Sequence, residues 1–113
     1  MSEAPNEQEV RVYSRPDGRE PFTEWLRGLR NGPTRNRIRR RIARVRLGNL
    51  GDARSVGRGV HERRIRLGPG YRVYFGREAG AVILLRGGDK STQTRDVERA
   101  QADWRDYRSR SDG

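Results

Sequence analysis

Glu62, Arg64, Arg66, Arg72 and Tyr74 are the residues of this chain best spaced to act on an anion. They lie in VHERRIRLGPGYRVYFGREAGAVILLRGGDKSTQ, Val60 to Gln93, where three apolar-alternating segments are separated by two short glycine turns. That pattern predicts a three-stranded antiparallel meander. Side chains alternate across a strand, so Val60, Glu62, Arg64 and Arg66 point one way and His61, Arg63, Ile65 and Leu67 the other. Ile65 and Leu67 should face helices, which leaves Glu62, Arg64 and Arg66 on an open face. In the next segment Tyr71, Val73 and Phe75 share one face, and Arg72 and Tyr74 the other. A hairpin through Leu67–Gly70 can set Arg72 beside Arg64 or Arg66. Guanidiniums gathered on one face repel one another unless an anion lies between them, so the pattern points to a phosphate site. Arginine grips phosphate through two parallel hydrogen bonds, and with a pKa above about 12 it cannot serve as a base.

The elements that must position these residues are legible on either side. Val10, Val12 and Tyr13 predict a first strand over Glu9–Ser14, ended by Pro16-Asp17-Gly18. Phe22, Trp25, Leu26 and Leu29 fall on one face of a helix that Asn31-Gly32-Pro33 should stop. Thr34 is the expected N-cap of a second helix with Ile38, Ile42 and Val45 as its apolar stripe. Its outer face carries Arg37, Arg39, Arg40, Arg41 and Arg44, and Asp52–Gly59 reads as a linking loop. The three strands are expected over Val60–Leu67, Tyr71–Gly76 and Ala81–Arg86. Val82-Ile83-Leu84-Leu85 is apolar on both faces and should be the most buried. Ser91–Thr94 can cap a last helix with Val97, Ala100, Trp104 and Tyr107 as its stripe. Residues 1–8 and 109–113 should be loose.

Composition limits what the fold can be and what it can bind. The chain has 113 residues, one domain's worth, of which 31% are hydrophobic and 36% charged. The expected core is thin, and a three-layer fold is not expected. Net charge is +11, and all but one of the 26 basic residues are arginine, Lys90 being the exception. Such a surface suits a polyanion or an acidic protein better than a membrane, since no segment joins a basic face to a large apolar one. There is no cysteine, hence no thiolate chemistry, and the single histidine, His61, excludes His-rich zinc motifs. No metal or cofactor is expected. No run is apolar enough for a membrane span or signal peptide, so the reading is cytoplasmic.

The spacing HERRIRLGPGYRVYF followed by LLRGGDKSTQ resembles the phage-derived addiction-module killer family, HigB-like members of the RelE/ParE toxin superfamily. The resemblance implies an α+β fold ordered β-α-α-β-β-β-α, with two helices on one face of a curved, mainly antiparallel sheet. In its ribonuclease members the open sheet face holds nucleic acid. It further implies the toxin of a type II toxin–antitoxin pair: a metal-free endoribonuclease that cleaves messenger RNA on the ribosome and is held by an antitoxin encoded nearby. The alternatives are a ParE-like, non-catalytic poison of DNA gyrase, and a non-toxic basic nucleic-acid-binding module, since one fold serves different targets.

Residues can be assigned to that reaction. A base takes the 2′-hydroxyl proton, the oxygen attacks the adjacent phosphorus in line, and an acid protonates the departing 5′ oxygen. Fixed cations stabilise the charge that gathers on the phosphoryl oxygens. The family's basic strand residue and its GYR arginine correspond to Arg64 and to Arg72 in Gly70-Tyr71-Arg72. Glu62 is the candidate base or, alternatively, a neutralising partner of Arg64 or Arg72. Lys90, in the GGDK motif Gly87-Gly88-Asp89-Lys90, is the candidate acid or else a rim charge. Arg66, Arg40 and Arg44 are expected to contact RNA, and Tyr74 to stack a base or to pack across strands. Gly87-Gly88 alternatively relieves crowding where strand meets loop. The family's aromatic-Glu-apolar-Arg pattern stands here as His61-Glu62-Arg63-Arg64, with both core-side positions changed. At Asp96-Val97 there is no tyrosine or histidine to act as acid.

Overall fold

A computed structural model describes residues 7–111. The expected looseness of residues 1–6 and 112–113 falls outside the described residues. Among the described residues, five strands and three helices form an α+β fold. They are β1 (Glu9–Val12), α1 (Pro21–Gly28), α2 (Gly32–Arg46), β2 (Ala53–Gly57), β3 (Val60–Ile65), β4 (Tyr71–Glu78), β5 (Ala81–Asp89) and α3 (Gln93–Ser111). The sheet is mixed, in the order β1-β5-β4-β3-β2, with β1 parallel to β5 and every other pair antiparallel.

Several boundaries differ from expectation for local reasons. The Asn31 carboxamide accepts from the Thr34 backbone N–H at 2.9 Å, so Asn31-Gly32-Pro33 starts α2 instead of merely stopping α1. Proline is tolerated there because the first-turn N–H groups lack intrahelical partners anyway. The expected loop Asp52–Gly59 contains β2, which pairs with β3 through Ala53↔Arg63, Arg54↔Glu62 and Ser55↔His61. As an exposed edge strand it needs no apolar alternation, and so it left no pattern to read. Before α3, Asp89 caps a single 3₁₀ turn, Lys90–Thr92, accepting from the Ser91 N–H at 2.8 Å. Ser109–Ser111 are helical, not loose, and Arg110 holds Asp106 one turn back at 2.8 Å.

The larger difference is in layering. Phe22 and Leu26 of α1 and Ile38 and Val45 of α2 pack on one sheet face against Ile65, Val73, Phe75, Val82 and Leu84. On the other face, Ala100 and Trp104 of α3 cover Val60, Tyr74, Ala81, Ile83 and Leu85. The sheet is therefore sandwiched, and the expectation against three layers does not hold. β5 makes this possible: Val82 and Leu84 serve one core, Ile83 and Leu85 the other. Polar side-chain pairs extend the thin second core, with Arg86 forking onto Asp103 at 2.8 and 3.2 Å and Tyr13 donating to Asp106 at 2.7 Å.

Glycines on both faces of the sheet admit bulky neighbours. A Cβ at Gly87 would lie 2.1 Å from the Trp25 ring, and one at Gly76 would lie 2.3 Å from the ring of buried Trp104. Gly76→Ala is expected to lower stability by about 1–3 kcal/mol through overpacking, measured by thermal unfolding. An unchanged melting temperature would mean that Trp104 can slide aside at no cost.

Candidate functional site

The hairpin between β3 and β4 turns at Leu67–Gly70, where the Gly70 N–H donates to the Leu67 carbonyl at 2.9 Å. Gly68 and Gly70 have φ of 49° and 84°, which side chains rarely adopt. This turn puts Arg64 directly opposite Arg72. Arg66 lies beyond the end of β3, is 80% exposed and pairs with Asp52 at 3.2 Å. The guanidinium that Arg72 meets across the sheet is thus that of Arg64.

Glu62, on the same face, is not open as expected: its side chain is 0% exposed beneath the start of α3. Four donors converge on its carboxylate, Gln93 Nε2 at 2.8 Å, Tyr74 Oη at 3.1 Å, Arg54 Nε at 3.2 Å and, in an ion pair, Arg72 Nε at 3.5 Å. A carboxylate so enclosed is a brace. Tyr74 is fully buried and cannot stack a base. Burial first, and Glu62 second, push its phenol up, so it stays protonated and donates.

Arg72 is held at 10% side-chain exposure, with Nη1 donating to the Gly70 carbonyl at 3.3 Å. Arg64 is freer, 40% exposed, its Nε 3.9 Å from Asp52. Neither Nε has a protein hydrogen-bond partner of good geometry. Lys90 is exposed in the 3₁₀ turn after β5. Just before it, the Asp89 carboxyl is held below the usual carboxylate range by the Ser91 hydroxyl first, with Arg72 contributing. Arg54, Arg64, Arg66, Arg72 and Lys90 thus surround Glu62, Asp52 and Asp89. The positive surplus lies at the rim, while the buried carboxylate fixes the inner guanidinium. This arrangement can hold a phosphate between Arg64 and Arg72.

Arg40 and Arg44 are not part of it. Both are exposed on α2, across the sheet from Arg64 and Arg72. On that side Arg63 is 4% exposed, its guanidinium packed under Gly51 with Nε and Nη1 lacking protein partners. Burial, then Arg41 and Arg44, pull its pKa down. His61, on the same face as Ile65, stacks on Phe75 with ring centroids 5.3 Å apart. Gln93 and Arg54 were missed as members of the site. Arg54 sits in the unrecognised edge strand, and Gln93 meets Glu62 across 31 residues of sequence, a contact that no local pattern announces.

No family model and no solved structure matches the chain. An uncharacterized protein of Haemophilus influenzae is 48% identical over 81 residues, which are 71% of this chain and 82% of that protein. A match this close over most of both chains is common descent with a common fold, and the chain belongs to the family of that Haemophilus influenzae protein.

Proposed function

We propose that the protein is the toxin of a type II toxin–antitoxin pair of the RelE/ParE superfamily, a metal-free endoribonuclease acting on messenger RNA at the ribosome in the cytoplasm. The observation that carries this reading is the in-register pair Arg64↔Arg72 on one sheet face, the first 40% exposed and the second fixed by the buried Glu62. Two guanidiniums from directly opposed positions suit the phosphoryl oxygens, whose charge grows as the 2′ oxygen attacks and the bond to the 5′ oxygen breaks. Glu62 acts as a positioning residue that aims Arg72. Water takes the 2′-hydroxyl proton as that oxygen bonds to phosphorus, and Lys90, exposed at the rim, gives a proton to the 5′ oxygen as its bond to phosphorus breaks. Catalysis then rests mainly on in-line placement and charge stabilisation. The net charge of +11 attracts ribosomal RNA, and an acidic antitoxin would cover the same surface.

One observation favours the second reading, a non-catalytic poison of DNA gyrase: Glu62 and Tyr74 are buried and committed to each other. Brief induction without the neighbouring gene separates the two. The ribonuclease should reduce translation and create new 5′ ends inside coding regions, and co-expression of an acidic neighbour should restore growth. Intact messages with early DNA damage would overturn the ribonuclease and leave the fold untouched.

A further inference from the structure

Arg63 is a charged side chain that neither the packing nor the proposed reaction accounts for. It stands in register with Val73 of the first core and is 4% exposed. Gly51 closes over it, so that a Cβ there would lie 2.1 Å from Nη1. Arginine stays protonated at neutral pH, and a full positive charge is therefore held inside the fold. Such a charge is ordinarily paired, because its lost hydration is otherwise uncompensated. The acceptors close by are engaged elsewhere. At the end of α2 the Arg44 carbonyl accepts from the Leu47 and Asn49 N–H groups, that of Val45 from Gly48 and that of Arg46 from Gln8. Asp52, the one carboxylate whose charge is felt at Arg63, pairs with Arg66 at 3.2 Å and lies 3.9 Å from Arg64. The other charges felt there are positive: Arg41, half-buried, and Arg44, exposed, three residues apart on α2. Among the described residues, none of these three guanidiniums forms an ion pair.

We infer that Arg41, Arg44 and Arg63 form a site for a free oxyanion of the phosphate class, which ties α2 to β3. The site lies across the sheet from Arg64 and Arg72 and does not depend on the ribonuclease reading. Three guanidiniums against one engaged carboxylate call for a multivalent anion, and a tetrahedral one offers an oxygen to each. Arg63 Nε and Nη1 are sealed in without a protein partner, which leaves Nη2 as the approach. That enclosure favours an anion whose oxygens are all bare. A phosphate in an RNA chain carries a sugar on two of its oxygens and has to stay at the surface. Bound between the buried head and the two α2 side chains, the anion offsets the repulsion among all three. Because it binds the folded chain and not the unfolded one, it links stability to phosphate concentration.

The test is thermal unfolding of the full-length protein in sodium chloride and in sodium phosphate of equal ionic strength. Arg64→Ala serves as the parent, so that phosphate at the arginine pair does not contribute. At tenfold above half-saturation, phosphate should raise the parent's melting temperature by about 5 °C beyond chloride. Arg63→Met, added to that parent, keeps an apolar stem and removes the charge. It should abolish the phosphate shift and leave the melting temperature in chloride unchanged or higher, since an uncompensated buried charge is gone. Arg44→Ala, at an exposed position, should raise the half-saturating phosphate concentration about tenfold, the scale of one charge-assisted contact, without lowering the melting temperature in chloride. No phosphate shift in the parent, or an equal shift after Arg63→Met, overturns the site and leaves the ribonuclease reading standing. Should Arg63→Met not fold, an unchanged half-saturation in Arg44→Ala overturns it instead. With Arg64 intact, Arg63→Met should leave the affinity for an uncleavable 2′-O-methyl RNA hexamer within about threefold. A loss of about tenfold or more would give the site to the RNA backbone and overturn the free anion.

Discussion

Glu62→Ala is expected to destabilise the protein by about 3–5 kcal/mol, the cost of removing one partner from a buried ion pair. The side chain is 0% exposed, so no water replaces the lost carboxylate. Its removal strands Tyr74 Oη, in the second core, and Gln93 Nε2, and takes from the Arg72 guanidinium its ion-pair partner. Arg54 suffers least because its side chain is 55% exposed. Glu62→Gln should cost less, since the amide keeps the shape and one acceptor oxygen. The double substitution Glu62→Ala/Arg72→Met should recover part of the loss, because no buried guanidinium is left uncompensated. Urea unfolding of the three variants measures this. A loss below about 1 kcal/mol for Glu62→Ala would place the carboxylate in a far wetter setting than the described packing.

Arg72→Ala is expected to slow RNA cleavage by about 10²–10³-fold and to abolish toxicity, the effect of deleting one donor to a transition-state oxyanion. The fold should survive, because Glu62 keeps Gln93, Tyr74 and Arg54 as donors. It should not survive free of cost, because Arg72 is buried and not on an open face. Arg72→Lys should restore activity only in part, since a point charge cannot reproduce the fork, and Lys shifts to its neutral form more readily where it is desolvated. The measurements are cleavage rate and melting temperature, read together. Full toxicity in a folded Arg72→Ala protein would remove the central residue of the proposed reaction and leave the gyrase reading as the better one.

Some of this architecture is local and could be read directly. The two-residue period of β3 and β4 sorted their side chains into two sets, and the glycine turn at Leu67–Gly70 brought Arg72 to Arg64 or Arg66. The stripe Val97, Ala100, Trp104 and Tyr107 marked the buried face of α3. β5 was legible as the most buried strand because Val82–Leu85 is apolar on both faces. Read strictly, that feature already required cover on both sides of the sheet.

What the sequence by itself determined was therefore the order of most elements, the partition of residues between sheet faces and an arginine pair made by Arg72 with either Arg64 or Arg66, between which the register of β3 and β4 then decided. Only the tertiary structure decided how the second face is used. Alternation separates two faces but does not say which lies open, because that depends on where a helix tens of residues away comes to rest. Trp104 settles against Gly76, α3 comes down over Tyr74, and Gln93 reaches Glu62. A carboxylate that reads as a solvent-facing base thereby becomes an enclosed brace, since burial and hydrogen-bond partners, and not residue type, determine what an ionisable side chain can do.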